Sequence, residues 1–436
     1  MAAISPFRAW RYAGERVPVG QVVTQPYDKI TPAMQESYYQ ASPYNLVRII
    51  LGKRLESDTA RENVYTRAAG SFQNWRQTGV LKQDPAPCLY RYSQTFAVPG
   101  TKSRAERRGF IGLGRIEEYS AGVVFRHEQT LAKPKADRLD LLRATRGHFG
   151  QIFMLYSAAG KVDALLDSAS RGAAADIEVT DEYDVVHRVW KISDPAVVRA
   201  AQEQMRDQKL IIADGHHRYE TALAYRNEEA RRQAASAGAP AAYDDVMMTF
   251  VDMDLPGLVV LPTHRAIFGL SHAKMTAFPN EARRFFNVEE VDPAIDAARA
   301  TEILRQAGVA GTVLLAVTGE RAFLLHTPKA IGTPLFGNLS LNQQALDVVQ
   351  LHKCLLEGCL EISEEAIRNQ QHVSYFRETA EALAQVRDGR VQMAFLMNAV
   401  RIKQVRDIAL AGEVLPQKST DFYPKLLSGL TIYALD

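Results

Sequence analysis

The sequence predicts a mixed α/β (α+β) protein of more than one domain. Short apolar runs with strand character alternate with stretches whose apolar residues recur at helical spacing. At 436 residues the chain is too long for one ordinary core, and 47% hydrophobic residues are enough to build two or three.

Residues 1–115 read as an N-terminal α/β unit. VGQVVTQPYD, the helix-like TPAMQESYYQASP, the apolar NLVRIIL and the amphipathic ARENVYTRAAGSFQNWRQTG lead into a hairpin. In that hairpin CLYRYSQTF alternates and RRGFIGLGRIEEY returns across Pro99-Gly100. Gly109, Gly112 and Gly114 fall inside the returning strand and make no GxGxxG loop, so a dinucleotide fingerprint is absent.

Residues 116–270 form the central segment, with strand-like QIFMLYS and VVHRVWKI between two charged motifs. QAASAGAPAAY has the small, proline-containing composition of a mobile loop and is a candidate lid. Beyond it, VMMTFVDMDLPGLVVLPTHRAI reads as two adjacent strands ending at His264-Arg265. Residues 271–436 again alternate helix and strand, from KMTAFPNEARRFF to VRIKQVRDIALAG, and are expected to be a C-terminal α/β domain.

Charge and composition narrow the function classes. Fifty-two basic residues against 50 acidic leave no excess for a polyanion, which makes nucleic acid an unlikely partner. The N-terminus lacks a signal-peptide core and no run reaches the ~20 apolar residues of a membrane span, so a cytoplasmic protein is expected. Three cysteines fit a reducing compartment; Cys354 and Cys359 sit in an apolar helical pattern and read as core.

The chemistry concentrates in Asp214-Gly215-His216-His217-Arg218. An apolar strand, LIIA, feeds a turn crowded with charged and imidazole groups, and a helix follows. Unpaired charge beside a core is costly, so stability alone does not choose these residues. Gly215 lets the backbone approach a ligand, and a helix start favours anions: a phosphate or carboxylate site. Asp214 suits Mg²⁺, which takes one or two carboxylates and substrate phosphates; His216, His217 and Arg218 suit a transferred phosphoryl group. The structural alternative is a salt-bridged helix cap, with Arg218 paired to Glu220 or Glu117.

Arg126-His127-Glu128-Gln129-Thr130 is the second motif. It lacks the second histidine of HExxH, since Leu131 stands there. Glu128, between AGVVF and a polar turn, suits a general base; the alternative is an acid stabilising the following helix. Asp28, after Gln25-Pro26-Tyr27, is either a cap for the helix near Thr31 or Pro32 or a site contact. His264 and Arg265 are candidates for anion contact at a strand end. The tail PQKSTDFYPKLLSGL compresses Lys418, Ser419, Thr420, Tyr423 and Lys425 into a strap able to clamp phosphate or carboxylate, to pack Phe422, Leu426 and Leu427, or both.

These motifs carry a resemblance. DGHHR resembles the DGHxR signature of the ParB and sulfiredoxin-like fold, most closely that of the free-serine kinases built on it, and His127-Glu128 resembles their upstream His-Glu pair. QPYD at Gln25–Asp28, HExT at His127–Thr130, DGHHRYETAL at Asp214–Leu223, PTHR at Pro262–Arg265 and PQKST-x-FYPKLLSGL at Pro416–Leu430 together resemble the family catalogued as domain of unknown function 1015. The resemblance implies a central ParB/sulfiredoxin-like domain flanked by N- and C-terminal α/β units. It also implies a turn that holds nucleotide phosphates and magnesium.

The resulting expectation is a Mg²⁺-dependent small-molecule kinase using ATP or ADP, with free serine or a related hydroxylated metabolite as acceptor. Glu128 is the base, Asp214 the metal ligand, and His216 a further catalytic group. Gly215, His217, Arg218, His127 and Thr130 hold the nucleotide. The alternatives are a ParB-like nucleotide-binding module or nuclease acting on DNA or a protein partner, and a metal-dependent phosphohydrolase.

Overall fold

The computed structural model describes residues 1–128, 133–232 and 241–436, and the side chains of all of these except 133–135. Thr130 and residues 233–240 of the expected lid lie outside the described residues. The chain is mixed α/β and divides into two compact units. Unit 1 comprises Met1–Arg126, Thr130–Leu258 and Pro424–Asp436; unit 2 comprises His127–Gln129 and Val259–Tyr423. The stretches 1–115, 116–270 and 271–436 expected from the sequence do not coincide with these units, because strands from the first two pair within one sheet and Pro424–Asp436 belongs to unit 1.

In unit 1 a mixed sheet runs in the order Val124–Arg126, Leu210–Asp214, Ile152–Tyr156, Asp245–Asp252, Arg104–Arg115, Leu89–Ala97, Val186–Ile192, Ile177–Thr180. Ile4–Ser5 joins it on Arg104–Arg115. The expected hairpin is there, with Tyr90 opposite Ile111 in antiparallel register. Its glycines are required by close approach: a Cβ on Gly109 would lie 2.2 Å from the Phe250 carbonyl oxygen, and one on Gly114 2.3 Å from Met248 Sδ. Phe110, Ile152, Met154, Ile212, Met248 and Phe250 form the core of this sheet. A second core gathers Leu46, Ile49, Phe72, Trp75, Phe149 and Ile432.

Unit 2 is built on an antiparallel sheet ordered Asn287–Val291, Ala322–His326, Val313–Thr318, Met393–Met397, His264–Ile267, Val373–Phe376. Ala300, Leu304, Leu383 and Val386 from its helices pack on Val313, Leu315 and Val317. Asp421–Tyr423 pairs with Val259–Leu261 as a separate ribbon.

Two sequence expectations need correction here. The runs on either side of Leu255-Pro256-Gly257 are not neighbouring strands, since Asp245–Asp252 belongs to the unit 1 sheet and Val259–Leu261 pairs with Asp421–Tyr423. His264 opens a strand instead of ending one, because Pro262, which has no N–H, interrupts the run before it. Among the described residues no helix is long and apolar enough to cross a membrane.

Candidate functional site

In unit 1 the strand Leu210–Asp214 delivers its last residue to the site through an irregularity. Its register against Ile152–Tyr156 shifts between Ile212 and Asp214, and such a bulge re-aims a side chain. Gly215 then takes φ 89°, a conformation L side chains rarely adopt, and the helix His216–Arg232 begins at once. Asp214 Oδ2 lies 2.8 Å from Arg218 Nη2, and Oδ1 lies 3.2 Å from Lys425 Nζ. Burial alone would raise the Asp214 pKa; Lys425, Arg218 and Lys29 together outweigh it and hold the carboxyl well below the usual range. Asp214 is therefore an anion at any physiological pH.

The Arg218 guanidinium is seated between two glycines. A Cβ on Gly215 would meet Arg218 Nε at 2.8 Å, and one on Gly150 would meet Nη1 at 3.1 Å. Arg218 pairs with Asp214, not with the Glu220 or Glu117 of the capping alternative. Beside it opens a small cavity of about 70 Å³ with Tyr27, Arg138, Gly150, Thr221 and Ser428 in its wall. Arg138 lies over the Tyr27 ring at 4.2 Å. His216 and His217 are half-buried at the helix start.

The other side of Asp214 is supplied by Pro424–Asp436, the returning end of the chain. Its backbone is pinned: the Lys425 carbonyl accepts from Gln94 Nε2 at 2.8 Å, and the Pro424 carbonyl accepts from Arg107 Nη2 at 2.5 Å. Arg107 is itself buried, bonded to Gln94 Oε1 and laid over the Phe153 ring at 4.6 Å. Burial brings its pKa down to about 10, so it stays charged. Thr24 and Ser428 exchange backbone hydrogen bonds, which fixes the strap beside the QPYD segment.

Unit 2 holds the other candidates. Glu128 forms a parallel bridge with Leu415, and its Oε1 accepts the Lys418 N–H at 2.8 Å. His127 is buried with Nε2 2.7 Å from Thr420 Oγ1, and the Ser419 hydroxyl donates to the Pro416 carbonyl at 2.5 Å. Lys418 has an exposed side chain and φ 58°, and its carbonyl accepts from Arg265 Nη2 at 3.0 Å. Arg265, fully buried, lies over the Tyr375 ring at 5.4 Å; burial takes its pKa down to about 10. Tyr423 lies under Arg377, at 5.5 Å.

His264 has both ring nitrogens engaged, Nε2 with Thr379 Oγ1 at 3.0 Å and Nδ1 with the Met397 N–H at 3.3 Å. Burial and then Arg265 lower its pKa to about 4, so it is a neutral core histidine. The geometry gives no support to anion contact by His264. Asp28 does not cap the helix Pro32–Ala41: Thr31 does, its side chain accepting from the Met34 N–H, with Pro32 at the first helical position. Asp28 is exposed in the single turn Tyr27–Lys29.

Some members of the unit 1 cluster had no motif signal. Lys29 acts on Asp214 from the turn after Pro26, and Arg138 comes from the helix Lys133–Thr145, where it looked like one polar residue among several. Arg107 opens the returning strand RRGFIGLGRIEEY, and its charge gives no sign of burial there. Gln25 donates to Asp181 Oδ2 at 3.0 Å, and Asp181 and Tyr92 engage the two nitrogens of buried His187. This polar chain fixes the QPYD entry and was not legible locally.

Fold and site together define a mixed α/β protein with a cation-rich strand-to-helix turn. The chain belongs to the family described as protein of unknown function DUF1015, whose model matches residues 4–349. No curated protein matches it. Among solved structures, a conserved hypothetical protein from Pyrococcus furiosus is 14% identical, with a TM-score of 0.31 over 69% of this chain and 86% of that one. A free serine kinase in complex with AMP is 13% identical, with a TM-score of 0.34 over 70% of this chain and 88% of its own. SbnI with a C-terminal truncation, from Staphylococcus aureus, is 10% identical at a TM-score of 0.34, covering 73% and 87%.

Proposed function

We propose that the protein is a phosphotransferase that binds ATP or ADP with Mg²⁺ and moves a phosphoryl group onto a hydroxyl of a small metabolite, free serine or a relative of it. One observation carries the reading: Asp214 is bracketed by Arg218 at 2.8 Å and Lys425 at 3.2 Å directly before a helix start. Around this turn Lys29, Arg218 and Lys425 outnumber the acids Asp214 and Asp28, and the helix opening adds partial positive charge. Such a cluster favours a multiply charged anion.

The residues fit a nucleotide's phosphates closely. Arg218 offers a planar fork and Lys425 a point charge, two complementary ways to neutralise phosphate oxygens. Their positive charge would offset the negative charge spread over the transferred group's oxygens as the bond to its leaving oxygen lengthens. Asp214 supplies a single carboxylate whose oxygens each contact a cation and each keep a further lone pair. That is compatible with Mg²⁺, which draws most of its ligands from phosphates and water and, when bound, would offset phosphate charge.

Serine as acceptor is supported by the resemblance of DGHHR and His127-Glu128 to the free-serine kinase motifs. Glu128 as base remains a sequence-based proposal beside its observed role in holding the Lys418 N–H. The test is ³¹P NMR of the protein with Mg²⁺, ATP or ADP, and serine, threonine or homoserine. A new phosphomonoester resonance is expected. Inorganic phosphate without ester would make the protein a hydrolase, and an unchanged nucleotide with every acceptor would remove the phosphotransfer reading. Glu128→Gln should abolish turnover with nucleotide affinity within about twofold; retained turnover would leave Glu128 only its strap contact.

A further inference from the structure

Unit 2 contains a second built cavity that the phosphate reading does not use. It has a volume of about 230 Å³, far beyond the roughly 10–15 Å³ that one water molecule needs. Leu339, Val349, Ile367 and Val414 give it apolar walls, and Pro416 and Gln417 of the strap close one side. His352, 8% exposed, lines it and has an Nε2 with no hydrogen-bond partner.

The backbone that carries His352 is irregular. Leu351–Glu357 is a π-helical stretch, in which the Gly358 N–H reaches back five residues to the Lys353 carbonyl. A widened turn of this kind is rare and recurs at functional sites. A buried imidazole nitrogen without a partner is costly, so a site that retains one is organised to receive a partner.

Charge balance selects the class of ligand. Lys353 in the wall pairs with Glu357 at 2.9 Å and Glu364 at 3.4 Å, and Arg368 pairs with Glu364 at 3.3 Å. The wall thus neutralises its own charges. Burial, then Arg265 and Lys353, lowers the His352 pKa well below the usual range, which leaves a neutral ring. A charged ligand would gain no counter-ion here and would lose its hydration.

We propose that this cavity binds an uncharged small molecule with an apolar body and one hydrogen-bonding group, which His352 Nε2 engages. Its site is separate in composition from the phosphate cluster, sharing no residue with it, and the test uses no nucleotide.

The probes are p-cresol, toluene and 4-hydroxybenzoate, titrated into the full chain by calorimetry and ligand-observed NMR. Saturable p-cresol binding is expected, at least tenfold tighter than that of 4-hydroxybenzoate and severalfold tighter than that of toluene. His352→Phe should remove the preference over toluene, and Ile367→Trp should block both. The three-probe comparison on the unaltered protein needs no variant to fold. Absence of saturable p-cresol binding, tighter binding of the charged probe, or unchanged p-cresol affinity in folded Ile367→Trp would each overturn the proposal.

Discussion

Each unit sets a histidine next to an arginine at a junction of a strand, and the two pairs serve opposite ends. His217-Arg218 follows the strand Leu210–Asp214; its arginine keeps 15% of its side chain exposed, pairs with a carboxylate and borders a cavity. His264-Arg265 opens a strand; its histidine is bonded through both nitrogens, and its arginine is buried against the Lys418 carbonyl and the Tyr375 ring. Arg218, proposed above to meet phosphate, is left partly open to solvent beside an opposing charge. A cation that holds a strap is buried on carbonyl oxygens. Sequence alone makes the two pairs look alike, and exposure with partner type separates them.

The largest expected effect tests the unit 2 half of this contrast. Arg265→Ala should cost about 3 kcal/mol or more, because it removes charged hydrogen bonds and leaves the Lys418 and Thr263 carbonyls without their donor. Chemical denaturation checks it. A variant as stable as the native protein would make Arg265 dispensable and break the comparison.

His264 gives the same contrast a pH dependence. Its folded pKa of about 4 lies below the unfolded value of about 6.5, so the unfolded chain takes up the proton first as pH falls. Stability from this group is complete above about pH 6.5 and is lost progressively toward pH 4, by up to about 3 kcal/mol. Denaturation of the native protein and His264→Gln across pH 7 to 4 should give a flatter profile for the variant. Parallel profiles would show that His264 is not held neutral by burial.

Gly215→Ala sharpens the unit 1 half at a smaller cost. The positive φ and the 2.8 Å approach to Arg218 Nε predict a loss of about 2 kcal/mol together with displacement of the guanidinium. Weaker phosphate binding should accompany it. Unaltered stability and binding would mean that the turn tolerates a side chain and the cradle around Arg218 is not real.

Much of this molecule is local and was legible. The hairpin Leu89–Ala97 to Arg104–Arg115, the helices Val64–Gln77 and Ala297–Ala307, and the strand-turn-helix around Asp214 follow from period and turn residues that lie close together. The Thr31-Pro32 cap is equally local, although Asp28 just before it is also a capping residue type. What periodicity cannot carry is pairing across hundreds of residues. Glu128 bridges Leu415, Trp10 bridges Ile432, and Lys425 reaches Asp214, contacts that no window of sequence contains. The strap stands out by composition, but its two lysines part company: Lys425 brings its ammonium to Asp214, whereas Lys418 contributes its backbone N–H and carbonyl.

Arg218 and Lys425 around Asp214 are proposed to form a nucleotide-phosphate site. The most direct test is calorimetric titration of ADP and ATP with Mg²⁺ into the native protein and into Lys425→Met, which keeps the stem and removes the charge. Saturable binding to the native protein is predicted, weakened at least about tenfold in the variant, the ~1.4 kcal/mol expected for a lost charge-assisted phosphate contact. No heat at millimolar nucleotide with folded native protein, or equal affinity in Lys425→Met, would contradict it.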